Sequence, residues 1–406
     1  VSTSSSIFEI DLGGNGLTGS IPDFSDLTDL MFLYLDNNQL EGQIDMEKLQ
    51  NLVSLQILNL SNNPLSGEIP DGIVSLTELR ELSLRDNVGY FDSEGNESGF
   101  TGVIPSSITN LVNLERLYIH GNKVTSIPAG IGSLQNLIEL DLNNNELSGN
   151  IPESIKDCVS LTHLRLYGNN LDGQIPNLTG LANLEYLDLS YNLLSGEIPS
   201  SLYNLLNLDR LYLNDNQLSG EISLSIENLS QLSHIELQNN NLSGEIKVPG
   251  SFNLNTVNFS NNQFSQFRPG VFGSLFVNLQ YVYLNDNLIS ADMSSSQIGL
   301  LPNIRQLNLA NNQITGAIPE ELFDSDNQEL EWLDFSNNQF SSFPDIGDTF
   351  TAIYFSNLYL SDNNLTTLPE SICNLPYNCY IDVSNNNLCP ELFYDCIDNF
   401  NNQDCD

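Results

Sequence analysis

Residues Asn183 to Leu206 read NLEYLDLSYNLLSGEIPSSLYNLL. Leu184, Leu187 and Leu189 alternate with polar residues as a short strand does; Asn192 follows, and Gly196-Glu197-Ile198-Pro199 turns the chain towards Leu202 and Leu205. Alternation at a period of two sends the leucines to one side and the residues between them to the other. The same phrase returns about every 24 residues. Its asparagine recurs as Asn15, Asn38, Asn63, Asn87, Asn122, Asn145, Asn169, Asn192, Asn216, Asn240, Asn262, Asn287, Asn312, Asn338, Asn363 and Asn386, sixteen slots that run nearly the length of the chain.

No single turn of this kind can bury its own apolar side, so neighbouring turns must stack and share one continuous core. Each turn then lays one strand in a parallel sheet. The spacing therefore predicts an α/β solenoid: a right-handed coil of about sixteen turns, curved, with the sheet on its concave face. Asparagine offers both an acceptor and a donor, so a buried column of them can satisfy backbone groups where each turn leaves its strand. Glycine in Gly-x-Ile-Pro tolerates a positive φ, and proline fixes its own φ and withholds a donor.

Turns such as LTGSIP (17–22), LSGNIP (147–152) and LSGEIP (194–199) resemble the plant-type leucine-rich repeats of receptor-kinase ectodomains and polygalacturonase-inhibiting proteins. The tail NNNLCPELFYDCIDNFNNQDC is similar to the closing segment of secreted bacterial leucine-rich-repeat proteins. This resemblance covers about the whole chain and specifies the scaffold, not the ligand. It implies extracellular, non-enzymatic recognition of a protein, peptide or polysaccharide. It also leaves room for an inhibitor of a cell-wall enzyme.

Composition narrows the function further. Eleven basic against 52 acidic residues leave a net charge of −41, which repels nucleic acid and anionic membranes. No run of 18 or more apolar residues offers a membrane span. The chain opens at Val1 in a serine-rich stub, as a mature secreted form or a trimmed chain would, and the localisation expected is secreted or cell-surface. Sequons at Asn59, Asn96, Asn177, Asn228, Asn241, Asn258 and Asn364 permit glycosylation where the host performs it.

Along the chain, two domains are expected: a solenoid over 1–378, with a loop insertion at 88–99, and a disulfide-stabilised cap over 379–406. The insertion carries Asp92, Glu94 and Glu97, in a spacing that misses a calcium loop. The first turn begins at Ile7 and lacks a cysteine-paired cap, an open edge that an upstream domain, a neighbouring subunit or simple tolerance would each answer, and a structural subunit building filaments or a surface layer is the rival reading. Asp45, Ser223 and Lys247 replace the proline of their turns, and an irregular outer side is expected around 245–300. Cys373, Cys379, Cys389, Cys396 and Cys405 are the disulfide candidates, one necessarily left over, whereas Cys158 fills a leucine slot as a buried thiol. No catalytic motif, metal motif or cofactor motif is present.

The informative surface is the set of positions between the leucines. Six of seven arginines fall there: Arg80, Arg85, Arg116, Arg165, Arg210 and Arg305. So do all three histidines, His120, His163 and His234, and no lysine does. Stacking in register brings Arg116, His163 and Arg210 into one column with Glu139 and Tyr186 between them. Neutralisation by Glu81, Glu115, Glu139, Asp141, Glu185, Asp188 and Asp209 is the plain explanation. The same face also carries Tyr34, Tyr118, Tyr167, Tyr186, Tyr191, Tyr212, Tyr281, Tyr283, Trp332 and Tyr359, and arginine and aromatics dominate binding hot spots. Turns four to ten are thus expected to bind a ligand.

Overall fold

The computed structural model describes residues 6–89, 95, 97–324, 327–348 and 350–404. They form two compact units, Val1–Leu208 and Asp209–Asp406. In the first, eight parallel three-residue strands run from Glu9–Asp11 to Tyr186–Asp188, one per turn. In the second, eight more run from Arg210–Tyr212 to Tyr380–Asp382. The expected leucine-rich-repeat solenoid is what the chain adopts.

Inside each turn the apolar slots close the core. In the turn at 184, Leu184, Leu187, Leu189, Leu194, Ile198, Leu202 and Leu205 are all at most 9% exposed. Removing each such side chain from water contributes roughly 1.5–3 kcal/mol before conformational entropy is counted. Cys158 sits in the same layer, fully buried, its thiol pushed up to about 12 by that burial and by Asp157. In the second unit several leucine slots hold phenylalanine. Phe323 meets Phe343, Phe350 and Phe355 edge to face.

The asparagine column performs the satisfaction that its chemistry predicts. Asn63 accepts from the Leu40 amide (3.0 Å) and donates to the carbonyls of Leu35, Leu60 and Ser61. Asn192 repeats this with Leu171, Leu166, Leu189 and Ser190. One side chain thus pins two turns together. The residue before the slot is left-handed at most rungs, as at Asn62 (φ 54°), Asp215 (φ 55°) and Asn337 (φ 53°), which asparagine and aspartate tolerate best after glycine. Tyr191 holds that conformation too, at φ 51°.

The other side of each turn departs from the sequence expectation in two respects. Ser-Gly-x does not merely turn the chain: it forms a second row of short parallel strands, such as Ser66–Glu68 with Gly99–Val103, and Asn241–Ile246 with Gln263–Phe267. Every helix among the described residues is a short 3-10 segment. Proline occupies the N-cap of these segments at Pro70, Pro105 and Pro152. Where proline is replaced, Asp45 and Ser223 accept from the amides of Glu47 and Ser225 instead. Between Asn228 and Met293 no 3-10 segment occurs among the described residues, in line with the irregular stretch expected there.

At the C-terminal end Cys373 and Cys396 are bridged, and Cys389 is also disulfide-bonded. Cys379 is not: it stays a buried thiol, pushed up to about 12 by burial and by Asp398. It is therefore removed from the disulfide candidates. Cys405 lies outside the described residues, as do Asp92 and Glu94 of the loop insertion, whereas Glu97 pairs with Lys123 at 2.7 Å.

Candidate functional site

The three-residue strands turn their first and third side chains to one face, where Ser83, Asp141 and Asp188 are nonetheless buried, and most bury the second between the turns. Arg116, Glu139, His163 and Tyr186 lie side by side in register in the first unit, with Tyr118, Asp141, Arg165 and Asp188 beside them. Glu139 is the hub. It accepts from the Tyr118 hydroxyl at 3.0 Å and lies 3.6 Å from Arg116 and 3.7 Å from Arg165. Burial, and then the bond to Glu139, hold the Tyr118 phenol well above its usual range. Arg165 also reaches Asp141 (3.9 Å) and places its guanidinium 4.7 Å over the Tyr186 ring. That ring stacks on His163 at 5.9 Å, and Thr162 holds the imidazole through Nδ1 at 2.9 Å.

Around this hub, Arg80 pairs with Glu115 at 2.9 Å, and His120 lies between Asp86 (3.6 Å) and Asp141 (3.5 Å). The second contact is too poorly aligned to be a hydrogen bond, and His120 Nδ1 is buried without one. Arg85 is exposed and makes no ion pair among the described residues. Glu81, half-buried near Glu139, is raised above the usual carboxylate range by burial.

The second unit carries Arg210 next to His234 and Tyr212 next to Glu236 in register. Asp209 lies 3.5 Å from Arg210, and Ser233 holds His234 Nδ1 at 2.8 Å, as Thr162 does for His163. Tyr281 and Tyr283 stand beyond one intervening strand, Thr256–Asn258, where Tyr283 donates to Gln306 at 2.6 Å. All thirteen residues expected in the site therefore lie on the sheet face of their units. Eight gather in the first, and five divide between two places in the second.

Many of the acids serve the backbone as well as the arginines. Asp141 and Asp188 accept from the amides two residues on, and Asn59, Asn258, Asp334 and Asp382 do the same. Exposed ion pairs contribute roughly 0–1 kcal/mol, so the paired arginines are not what holds the sheet. Sequence reasoning missed Tyr380, Gln306 and Asn357 as partners of the aromatic residues; the signal was their column position. Among the described residues no group of acids, histidines and cysteines could hold a metal ion, and no helix is long and apolar enough to cross a membrane.

A family model for the leucine-rich repeat region matches residues 15–166 and 94–340, and a second, for the leucine rich repeat, matches 355–375. The chain belongs to the leucine-rich-repeat family. Among solved leucine-rich-repeat structures, the Arabidopsis receptor kinase HAESA, in complex with the peptide hormone IDA and the co-receptor SERK1, superposes with a TM-score of 0.68 at 26% identity, covering 99% of this chain and 79% of that one. The plant peptide hormone receptor RGFR1, in complex with RGF2, gives 0.66 at 29%, covering 94% and 71%. Receptor like protein 24 of Arabidopsis thaliana is 30% identical over 144 residues, 35% of this chain and 16% of that protein. A Ras guanine nucleotide exchange factor of Dictyostelium discoideum, 33% identical over 149 residues, is matched over 7% of its length. The chain thus spans a small part of these curated relatives.

Proposed function

We propose that this leucine-rich-repeat chain is a non-enzymatic extracellular recognition protein that binds a peptide or protein segment on its sheet face, with the first unit supplying the principal contacts. The observation that carries the reading is the Glu139 hub. Arg116, Arg165 and Tyr118 converge on one carboxylate, and Arg165 is simultaneously stacked against the Tyr186–His163 pair. Such side chains are pre-ordered yet only partly buried, so a ligand meets fixed groups and loses little entropy in ordering them. A ligand carboxylate can take over a guanidinium from Glu139, while its apolar residues lie against Tyr118 and Tyr186.

The contacts assigned in the first unit are Arg80, Arg85, Arg116, Tyr118, His120, His163, Arg165 and Tyr186, and those assigned in the second are Arg210, Tyr212, His234, Tyr281 and Tyr283. Support comes also from the peptide-bound complexes of the structural neighbours. Residues 379–406 act as a cap on the 1–378 solenoid. The test is selection from a random-peptide phage library against the immobilised protein. Enriched peptides should carry carboxylates beside aromatic residues, and an Arg116→Ser, Arg165→Ser variant with unchanged circular dichroism should lose at least about tenfold in affinity for them. Equal binding by that variant would reject the reading.

A further inference from the structure

One column of the second unit's sheet has a periodicity that the charged cluster lacks. Across five consecutive strands it reads Tyr281, Gln306, Trp332, Asn357, Tyr380 in unbroken register. Aromatic and carboxamide side chains alternate. Strands lie about 4.8 Å apart, so the rings recur at about 9.6 Å. Tyr281 and Trp332 are half-buried and Tyr380 is exposed. They are also braced: Tyr359 touches both Trp332 (6.4 Å) and Tyr380 (5.7 Å), and accepts from Asn357 at 3.1 Å.

We propose that this strip binds an extended, neutral β-1,4-linked polysaccharide lying along the direction in which the strands stack. In such a chain each pyranose is flipped relative to the one before, so the same apolar C–H face returns at every second sugar. Rings placed at every second rung match that repeat. The carboxamides between them are oriented by their own bonds, Gln306 to Glu331 (2.9 Å) and Asn357 to the Tyr359 hydroxyl, and retain acceptor capacity for sugar hydroxyls. Asp334 and Asp382, two residues on from Trp332 and Tyr380, each spend one carboxylate oxygen on the amide and hydroxyl of Ser336 and Ser384. The second oxygen of each receives no hydrogen bond among the described residues and suits a sugar hydroxyl. Charge selects the class of glycan. The one guanidinium here, Arg305, is engaged by Glu331 at 2.6 Å and Glu329 at 3.4 Å, which leaves unneutralised acids that repel uronates and sulfated chains.

Trp332 is the sole tryptophan of the chain, so tryptophan emission, excited selectively beyond the tyrosine absorption band, reports on this strip. Cellohexaose, chitohexaose, mannohexaose and oligogalacturonate would be titrated into the protein. At least one neutral hexasaccharide should shift the emission, more tightly than its trisaccharide, and oligogalacturonate should not. Tyr281→Ala and Tyr380→Ala, which keep the reporter, should each weaken binding about tenfold. Arg116→Ser, Arg165→Ser should leave the titration unchanged, so the two surfaces stand or fall separately. No response to any neutral oligosaccharide, equal binding by the tyrosine variants, or equal binding of oligogalacturonate would overturn the inference.

Discussion

His234 shows how one residue's surroundings set its chemistry. Burial and the neighbouring Arg210 hold its imidazole below the usual 6.5, and the opposing pull of Asp209 and Glu236 is weaker. A histidine whose folded pKa lies below its unfolded one subtracts nothing from stability above about pH 6.5; as pH falls from there towards the folded value, the unfolded chain takes up the proton first. Acidification through that window therefore destabilises the protein. Thermal melting at about pH 7.5 and about pH 5.5 should show a drop that is smaller in His234→Asn than in the parent. An equal drop in both would mean that the imidazole is as free in the fold as in the unfolded chain. Tyr191 marks where single residues escape sequence reasoning. Its left-handed backbone is dictated by its place before Asn192, and tyrosine is a poor advertisement for such a conformation.

At the scale of the element, the turn was legible because leucine and asparagine recur at fixed spacing in the slots where each solves a local problem. Leucine fills the core; asparagine closes both turns' backbone groups. The second row of strands and the 3-10 segments were not legible, since they are two to six residues long and are set by neighbouring turns more than by their own propensity. The columns on the sheet face followed directly from the asparagine phase. Which arginine meets which acid did not, because Glu139 draws three partners through side-chain geometry that no spacing encodes. The closing turn is the sharpest case. After Asn386 the slot is taken by Gln403, which accepts from the Leu388 amide at 3.2 Å and donates to the carbonyls of Val383 (2.9 Å) and Phe400 (3.1 Å). Asn399 and Asn401 continue the backbone pairing of Val383 and Asn385. The longer side chain hides this rung from a search for asparagine. Gln403→Ala should accelerate amide exchange over residues 381–404 and leave distant turns unchanged, since each turn in a stack depends on its neighbours. Uniform acceleration along the chain, or none, would refute a capping role.

For the molecule as a whole the dominant quantity is the net charge of −41. Stacking brings like charges from successive turns to within about 5 Å, and most arginines are gathered on the sheet face, so acids elsewhere have few cations to meet. Self-repulsion of this kind weakens a folded state. The Debye length falls from about 30 Å at 0.01 M salt to about 10 Å at 0.1 M, so potassium chloride should raise the melting temperature. The opposing effect is the screening of the ion pairs around Glu139 and Arg80, which is small because exposed pairs contribute roughly 0–1 kcal/mol. Repulsion should win, with most of the rise complete by about 0.2 M. A steady increase continuing to molar salt would instead report preferential exclusion of the salt from the surface. A fall in melting temperature over the low range would show that the arginine–carboxylate clusters, and not the surplus acids, govern the electrostatics of the fold.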